Sequence, residues 1–224
     1  MITSKIKTKI LQVINVFETG KPDGKYDSIV RYKDGPNKIR QITYGRSQTT
    51  EYGNLKRLIE NYVSMNGKFA IDFEPYVSKI GNTALTDDQV FINLLKTSAC
   101  EDEMMCKCQD DFFDLYYYQP AYVWFKGFGF KEPLSLLVIY DSYIHSGGIL
   151  NFLRKRFPER PPVNGGKEGI WIEQYVNTRH DWLATHSNKI LHKTVYRTNC
   201  FKEQMKNKNW LLKKPVIANG VTLI

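Results

Sequence analysis

Apolar residues near the start of the chain recur at the spacing of one helical face. The apolar positions of this stripe are Ile6, Ile10, Val13, Ile14 and Phe17. Intervals of three and four residues predict an amphipathic helix that buries this face. Ser4 stands where an N-cap is expected, and Gly20 is placed to end the helix. Glu18 therefore falls beside the buried face, in the last turn of the predicted helix.

Later segments repeat the helical pattern around one short β element. Residues 55–63 carry a second apolar stripe at helical spacing. Residues 133–144, PLSLLVIYDSYI, are apolar on nearly every side, which predicts a buried central helix. Between the first two helices, Ile39 to Tyr44 alternates polar and apolar residues after a turn at 34–37, which predicts a hairpin strand.

These elements predict the fold class and the domain organisation. We expect an α+β fold that is mainly α-helical, with a small β-hairpin lobe and a buried central helix. At 224 residues the chain fits one domain over 1–224. A hairpin that carries one acid beside a helix that carries another predicts two lobes with a substrate cleft between them.

Composition and charge narrow the possible partners. With 42% hydrophobic and 25% charged residues, the chain has the composition of a folded protein, which excludes intrinsic disorder. The excess of 32 Lys and Arg over 23 Asp and Glu suggests a polyanionic partner, such as nucleic acid, an anionic cell wall or a membrane surface. No apolar run approaches the ~20 residues of a spanning helix, so no membrane span is predicted. The first residues lack a cleavage site of small residues, so we interpret them as a mature helix and not as a signal peptide.

The cysteines do not predict a metal site. Cys100, Cys106 and Cys108 fall within nine residues but lack CxxC spacing, and no His pair stands at zinc-finger distance from them. Neither a metal nor a cofactor is therefore expected. With Cys200 the chain has four cysteines, and one or two disulfides or four free thiols all remain open.

Two acids on different elements suggest hydrolytic chemistry. Glu18 ends a helix, Asp34 lies in a turn, and Thr43 follows on the strand. Hydrolysis of a glycosidic bond needs one acid to protonate the leaving oxygen and a second carboxylate to activate water or attack. A helix-ending Glu and a turn Asp are also common solvated residues, so the spacing alone leaves both interpretations open.

Polar residues interrupt the predicted central helix. Asp141 and His145 are four residues apart and lie on one helical face. A buried Asp needs a cation or several hydrogen-bond donors, and Arg179 and Arg197 are the candidates from the later chain. The cluster can serve as a structural ion pair between helices, as a support that orients Glu18, or as both.

The order of these motifs resembles the family 46 glycoside hydrolases, the chitosanases, within the lysozyme-like superfamily. A helix that ends in Glu, an Asp-Gly turn and a Thr-x-Gly run match Glu18, Asp34-Gly35 and Thr43-Tyr44-Gly45. The family's central helix is similar to the run that contains Tyr140-Asp141 and His145. The resemblance spans about residues 10 to 200, and late arginines complete it, as Arg179 and Arg197 do here.

The resemblance implies roles for individual residues. It makes Glu18 the general acid, Asp34 the general base and Thr43 a residue that positions the attacking water, with inversion of the anomeric configuration. It also implies that Asp141, Arg179 and Arg197, with His145 beside them, form a buried network behind the general acid. Where the family has an acidic residue that recognises the substrate amine, this chain has Asn54, and Glu51 stands nearby. Tyr44 and Arg46 are further candidate substrate contacts.

The predicted function is therefore an endo-acting glycoside hydrolase that cleaves β-1,4 linkages of an amino-sugar polymer, with chitosan as the first candidate. Peptidoglycan is the second, because a polyanion fits the +9 charge better than a polycation does. A non-catalytic basic module that binds a polyanion is the alternative from another class, although no motif for specific nucleic-acid binding is present. We expect a monomer whose partner is the polysaccharide, and a secreted or cell-wall-directed protein is favoured.

Overall fold

The computed structural model describes residues 2–46 and 48–224. Contacts along the chain divide it into two compact units, which are described separately. The first unit combines Met1–Pro22 with Leu115–Ile224, and the second is Asp23–Asp114. Across the described ranges, no helix has the length and apolar character needed to cross a membrane.

The first helix, α1, spans Ser4–Thr19 and buries the predicted apolar stripe from Ile10 to Phe17, while Ile6 is half-buried. Its N-cap is Thr3 and not Ser4, because the Thr3 hydroxyl accepts a hydrogen bond from the Ile6 N–H at 3.3 Å. Gly20 ends the helix as predicted, with a left-handed φ of 76° that favours glycine. Its N–H donates to the Val16 carbonyl at 3.0 Å. Glu18 is thereby fixed in the last turn.

The second unit begins with a three-stranded antiparallel sheet in the order β1-β2-β3. Its strands are β1 Ile29–Tyr32, β2 Gln41–Tyr44 and β3 Thr49–Thr50. In the β1–β2 register, Ile29 faces Tyr44 and Tyr32 faces Gln41. The turn between these two strands contains a 3-10 turn, Pro36–Lys38.

In the described residues of the second unit, four helices follow the sheet. They are α2 Leu55–Ser64, α3 Ala70–Val77, α4 Gln89–Glu101 and α5 Glu103–Phe113. Their core includes edge-to-face contacts of Phe73 with Tyr62 and with Phe91. Aromatic pairs of this kind stabilise a core beyond the area they bury.

The first unit continues with the later helices and a terminal hairpin. A π-helical turn, Asp114–Tyr118, follows α5. The elements are then α6 Gln119–Gly127, α7 Pro133–Ser146, α8 Asn151–Arg154, α9 Glu168–Thr185, α10 Val195–Lys206, β4 Val216–Ala218 and β5 Val221–Leu223, with 3-10 turns at Pro162–Asn164 and Leu191–Thr194.

Helix α7 is the buried central helix that the sequence predicted. Every residue from Pro133 to Ser142 is buried, including Asp141. Helices α1, α9 and α10 all pack against α7. A polar group in the middle of α7 must therefore be satisfied by side chains from these neighbouring helices.

Candidate active site

Glu18 is held at the end of α1 by an arginine from α10. Its side chain is 14% exposed, so the carboxylate is mostly enclosed but still reaches solvent. Arg197 Nη2 donates a charge-assisted hydrogen bond to Glu18 Oε1. Such bonds are stronger than neutral ones, and they fix the orientation of the carboxylate.

Arg197 also contacts Asp141, which extends the ion pair into a chain of four residues. Arg197 Nη1 lies 2.6 Å from Asp141 Oδ1, and Arg179 Nη1 lies 2.6 Å from Asp141 Oδ2. The side chains of Asp141, Arg179 and Arg197 are all buried. The order is therefore Glu18–Arg197–Asp141–Arg179, in which carboxyl and guanidinium groups alternate.

The electrostatics of the buried pair Asp141 and Arg197 favour the ionised form of both groups. Burial alone raises the pKa of Asp141, but the positive charges of Arg179 and Arg197 outweigh this effect and hold the pKa below its ordinary value of 3.8. Burial by itself would lower the pKa of Arg197. The nearby carboxylates Glu18 and Asp141 raise it by more, so the pKa lies above its ordinary value. Arg197 is therefore a permanent cation beside Glu18.

His145 lies beside this network at the end of α7. Burial lowers its pKa to about 4, and the positive charges of Arg197 and Arg179 act in the same direction against the smaller effect of Asp141. Its Nδ1 lies 3.4 Å from the Ser146 hydroxyl. At neutral pH, His145 is thus a neutral neighbour of the network.

Tyr196 supports the end of α1 and was not predicted as a site residue. Its hydroxyl donates to the Phe17 carbonyl at 2.9 Å. Its ring contacts the Phe17 ring edge-to-face, with centroids 5.6 Å apart, and the Arg197 guanidinium lies 5.2 Å from the Phe17 ring centroid. The sequence offers only one signal for this contact, the position of Tyr196 next to Arg197.

Asp34 lies in the turn that follows β1 and is exposed. Its carboxylate accepts one hydrogen bond from a buried side chain, because Gln41 Nε2 donates to Asp34 Oδ1 at 3.0 Å. Gln41 was not predicted as a site residue, although it lies on the predicted strand. Thr43 is a neighbour on the same strand, 6% exposed, and faces Val30 on β1 and Thr50 on β3.

Two predicted substrate contacts, Tyr44 and Glu51, have enclosed side chains that bind other parts of the second unit. Tyr44 is fully buried, and its hydroxyl donates to the Leu95 carbonyl at 2.7 Å. Glu51 is 1% exposed, and its carboxylate accepts from the Ile42 N–H at 3.0 Å and the Leu85 N–H at 2.7 Å. Both residues stabilise the second unit from inside.

The Arg46 side chain is also bound to other residues of the second unit, whereas the Asn54 side chain is accessible to solvent. Arg46 is 6% exposed, forms an ion pair with Asp110 and lies 4.9 Å from the Phe113 ring centroid. These contacts attach the strand end to α5, and a substrate contact by Arg46 stays a prediction. Asn54 is half-buried at the start of α2 and stays a predicted substrate contact.

Within the described part of the chain, no group of three or more His, Cys, Asp or Glu residues could hold a metal ion. The four cysteines are free thiols. Burial raises the pKa of Cys108 to about 11 and that of Cys200 to about 12, so these two thiols stay protonated at neutral pH.

The sequence matches one known enzyme family over most of its length. The model of Glycosyl hydrolase family 46 matches residues 12–216. A chitosanase of Bacillus subtilis (strain 168) is 26% identical over 230 residues, which cover 94% of this chain and 80% of that protein.

Solved structures show the same fold. The native chitosanase from Bacillus subtilis MY002 matches with a TM-score of 0.84 and 23% identity, over 99% of each chain. The GH46 chitosanase of Gynuella sunshinyii, in complex with chitotetraose, matches with a TM-score of 0.84 and 20% identity, over 100% of this chain and 98% of that one. The predicted fold class, a mainly helical α+β fold of lysozyme-like type, is confirmed.

Proposed function

The chain belongs to glycosyl hydrolase family 46 and is a glycoside hydrolase, and from this premise we propose that it is an endo-acting chitosanase that inverts the anomeric configuration. The observation that carries the proposal is the Glu18 carboxylate, enclosed at the end of α1 and bound by Arg197. A curated relative is a chitosanase, and one structural relative is complexed with chitotetraose, which supports chitosan as the polymer.

In this proposal Glu18 is the general acid. It donates its proton to the oxygen that leaves as the glycosidic bond breaks, and it becomes a carboxylate in that step. The Arg197 guanidinium is already in place to stabilise the negative charge that develops on Glu18. Asp141 and Arg179 hold Arg197 in position from behind.

Asp34 is the general base in the same mechanism. It accepts one proton from a water molecule while the water oxygen bonds to the anomeric carbon on the face opposite the leaving group. Thr43 positions that water. After each turnover Glu18 has lost a proton and Asp34 has gained one, so solvent must restore both groups before the next cycle.

The distribution of charge supports a polycationic substrate better than the net charge does. The unit Asp23–Asp114, which contains Asp34, has 12 Lys and Arg against 15 Asp and Glu. The other unit has 20 against 8. The whole excess of +9 therefore lies outside the unit that carries the proposed base, whose own net charge is −3.

Peptidoglycan stays the second candidate substrate, because the strongly basic first unit would attract an anionic polymer. Hydrolysis of soluble chitosan and of purified peptidoglycan should be compared under the same conditions. We expect reducing ends to be released from chitosan at a rate well above that from peptidoglycan. The reverse preference would make the protein a muramidase of the same general mechanism.

The role of Glu18 is tested by Glu18→Gln, with Glu173→Gln as the matched control, since Glu173 is an exposed acid on α9 of the same unit. Removal of a general acid should lower the hydrolysis rate about 10²–10⁴-fold. The control should retain the wild-type rate, and both variants should keep the wild-type circular dichroism spectrum. A folded Glu18→Gln variant with near-wild-type turnover would remove Glu18 from the mechanism.

A further inference from the structure

The amide of Gln41 is engaged at both ends. Gln41 is the first residue of β2 and is 5% exposed. Its Nε2 donates to Asp34 Oδ1 at 3.0 Å, and its Oε1 accepts from the Tyr52 N–H at 3.3 Å. The two bonds fix which end of the amide faces Asp34, because only the nitrogen can donate to a carboxylate.

The turn that carries Asp34 closes onto the same amide. The Gly35 N–H donates to the Ile39 carbonyl at 3.1 Å, which brings the two ends of the turn together. A Cβ atom on Gly35 would lie 2.7 Å from Ile39 Cγ2 and 3.3 Å from Gln41 Cδ. Only glycine allows the turn to approach Gln41 this closely.

The backbone of this turn is also strained. Asn37 and Lys38 are consecutive non-glycine residues with left-handed φ angles of 54° and 60°. Such conformations cost free energy and persist where the surrounding contacts impose them. Two backbone hydrogen bonds close this turn, from the Gly35 N–H to the Ile39 carbonyl at 3.1 Å and from the Lys38 N–H to the Gly35 carbonyl at 3.0 Å.

We propose that Gln41 is the positioning residue of the general base. This inference rests on the proposed function, in which Asp34 activates the water. Asp34 is exposed, so without a buried donor its carboxylate would exchange between side-chain rotamers. The Gln41 amide holds Oδ1 and so directs Oδ2 to take the proton of the attacking water.

A glutamine suits this task because its amide is a neutral donor. An arginine or lysine in the same place would pair with Asp34 and reduce its ability to accept a proton. An ionised glutamate would repel it. The amide therefore fixes the geometry of the base while leaving its charge intact, and a small loss of such geometry costs a large factor in rate.

The sharpest variant is Gln41→Glu, which has the same size. Its carboxylate keeps an oxygen for the Tyr52 N–H and replaces only the group that faces Asp34. We expect kcat on chitosan to fall at least about 10-fold with KM within about twofold, since the base and not substrate binding is disturbed. Gln89→Glu makes the same charge change at an exposed position of α4 and should leave both constants unchanged.

The path of the effect is tested in an Asp34→Asn background. If Gln41 acts through Asp34, Gln41→Glu should change the residual rate of Asp34→Asn less than about twofold. Gln41→Met, which keeps the volume and lacks the donor, should lower kcat in the same way and serves if the glutamate variant does not fold. If the single variant Asp34→Asn is inactive but the single variant Gln41→Glu is fully active, this inference is overturned and the proposed base is not. If Asp34→Asn is itself fully active, the proposed base and the inference are both overturned.

Discussion

Arg197 binds two carboxylates with one guanidinium group. Nη2 contacts Glu18 and Nη1 contacts Asp141. The planar guanidinium therefore links Glu18, which reaches solvent, to the buried Asp141. A guanidinium keeps its charge at every pH at which the protein folds. Glu18 can therefore lose a proton in the proposed reaction without any change in its cationic partner.

His145, beside the network, takes up a proton at a lower pH in the folded protein than in the unfolded chain. Its pKa is about 4 in the folded protein, because burial and the charges of Arg197 and Arg179 oppose a further positive charge. In the unfolded chain its pKa returns to about 6.5. Between these values the unfolded state binds the proton and the folded state does not, so the fold loses stability as the pH falls from 6.5 to 4.

This difference predicts an acid sensitivity that His145→Gln should reduce. The loss assigned to His145 is as much as about 3 kcal/mol between pH 7 and pH 4. The free energy of unfolding from urea titrations at both pH values gives the pH-dependent loss for each protein. We expect a smaller loss for His145→Gln than for the wild type, and an unchanged loss for His192→Gln. Equal losses in all three proteins would show that His145 is protonated in the fold.

At the scale of elements, Asp141 joins three helices. It lies on α7, and its two oxygens accept from Arg179 on α9 and Arg197 on α10. An ion pair of this kind is costly to break from one side, because the remaining charge is left buried without a partner. The packing of these helices therefore depends on a carboxylate at this one position.

Asp141→Ala should accordingly destabilise the fold by about 3–5 kcal/mol and also lower activity, since Arg197 would lose the partner that holds it beside Glu18. Thermal unfolding by calorimetry measures the first effect, and chitosan hydrolysis below the melting temperature measures the second. Asp181→Ala, at an exposed position of α9, is the control and should change neither. An unchanged melting temperature for Asp141→Ala would show that the network does not stabilise the helices.

At the scale of elements, the sequence predicted helices more reliably than it predicted burial in the sheet. Helices α1 and α7 were predictable because the local spacing of apolar residues in each segment indicates which positions are buried. The strand β2 was predicted to alternate, but all of its residues from Gln41 to Tyr44 are buried. Tyr44 and Gln41 bond to the backbone of Leu95 and Tyr52, and no local pattern reports such contacts. The same holds for Glu51, just beyond β3, which accepts from the Leu85 N–H. The burial of Tyr44 and Glu51 depends on these long-range contacts, and their roles as substrate contacts stay predictions.

Candidate site residues were predictable where their chemistry is unusual for their surroundings. An Asp in an otherwise apolar helix requires a cation, and the structure brings Arg179 and Arg197 to Asp141. Gln41 and Tyr196 have no such signal, because an amide on a strand and a tyrosine on a helix fit many structural roles. Their contacts depend on the folded backbone, through the turn at Gly35 for Gln41 and the Phe17 carbonyl for Tyr196.

At the scale of the whole molecule, the net charge is a poor guide to the substrate. The +9 of the chain suggested a polyanion, yet the unit that contains Asp34 is acidic overall. A sum over the chain cannot report this separation, because it depends on which segments fold together. The monomeric state and the secretion suggested by the sequence stay predictions.

The central claim is that Glu18 and Asp34 act on one glycosidic bond as acid and base, without a covalent intermediate. Proton NMR of the anomeric signals during the first minutes of chitosan digestion tests this claim most directly, before mutarotation mixes the products. Direct attack by water on a β-linked sugar inverts its configuration, so the account predicts that the α-anomer of the new reducing end appears first. An initial β-anomer would mean retention through a covalent intermediate and would contradict the assignment of Asp34 as the base.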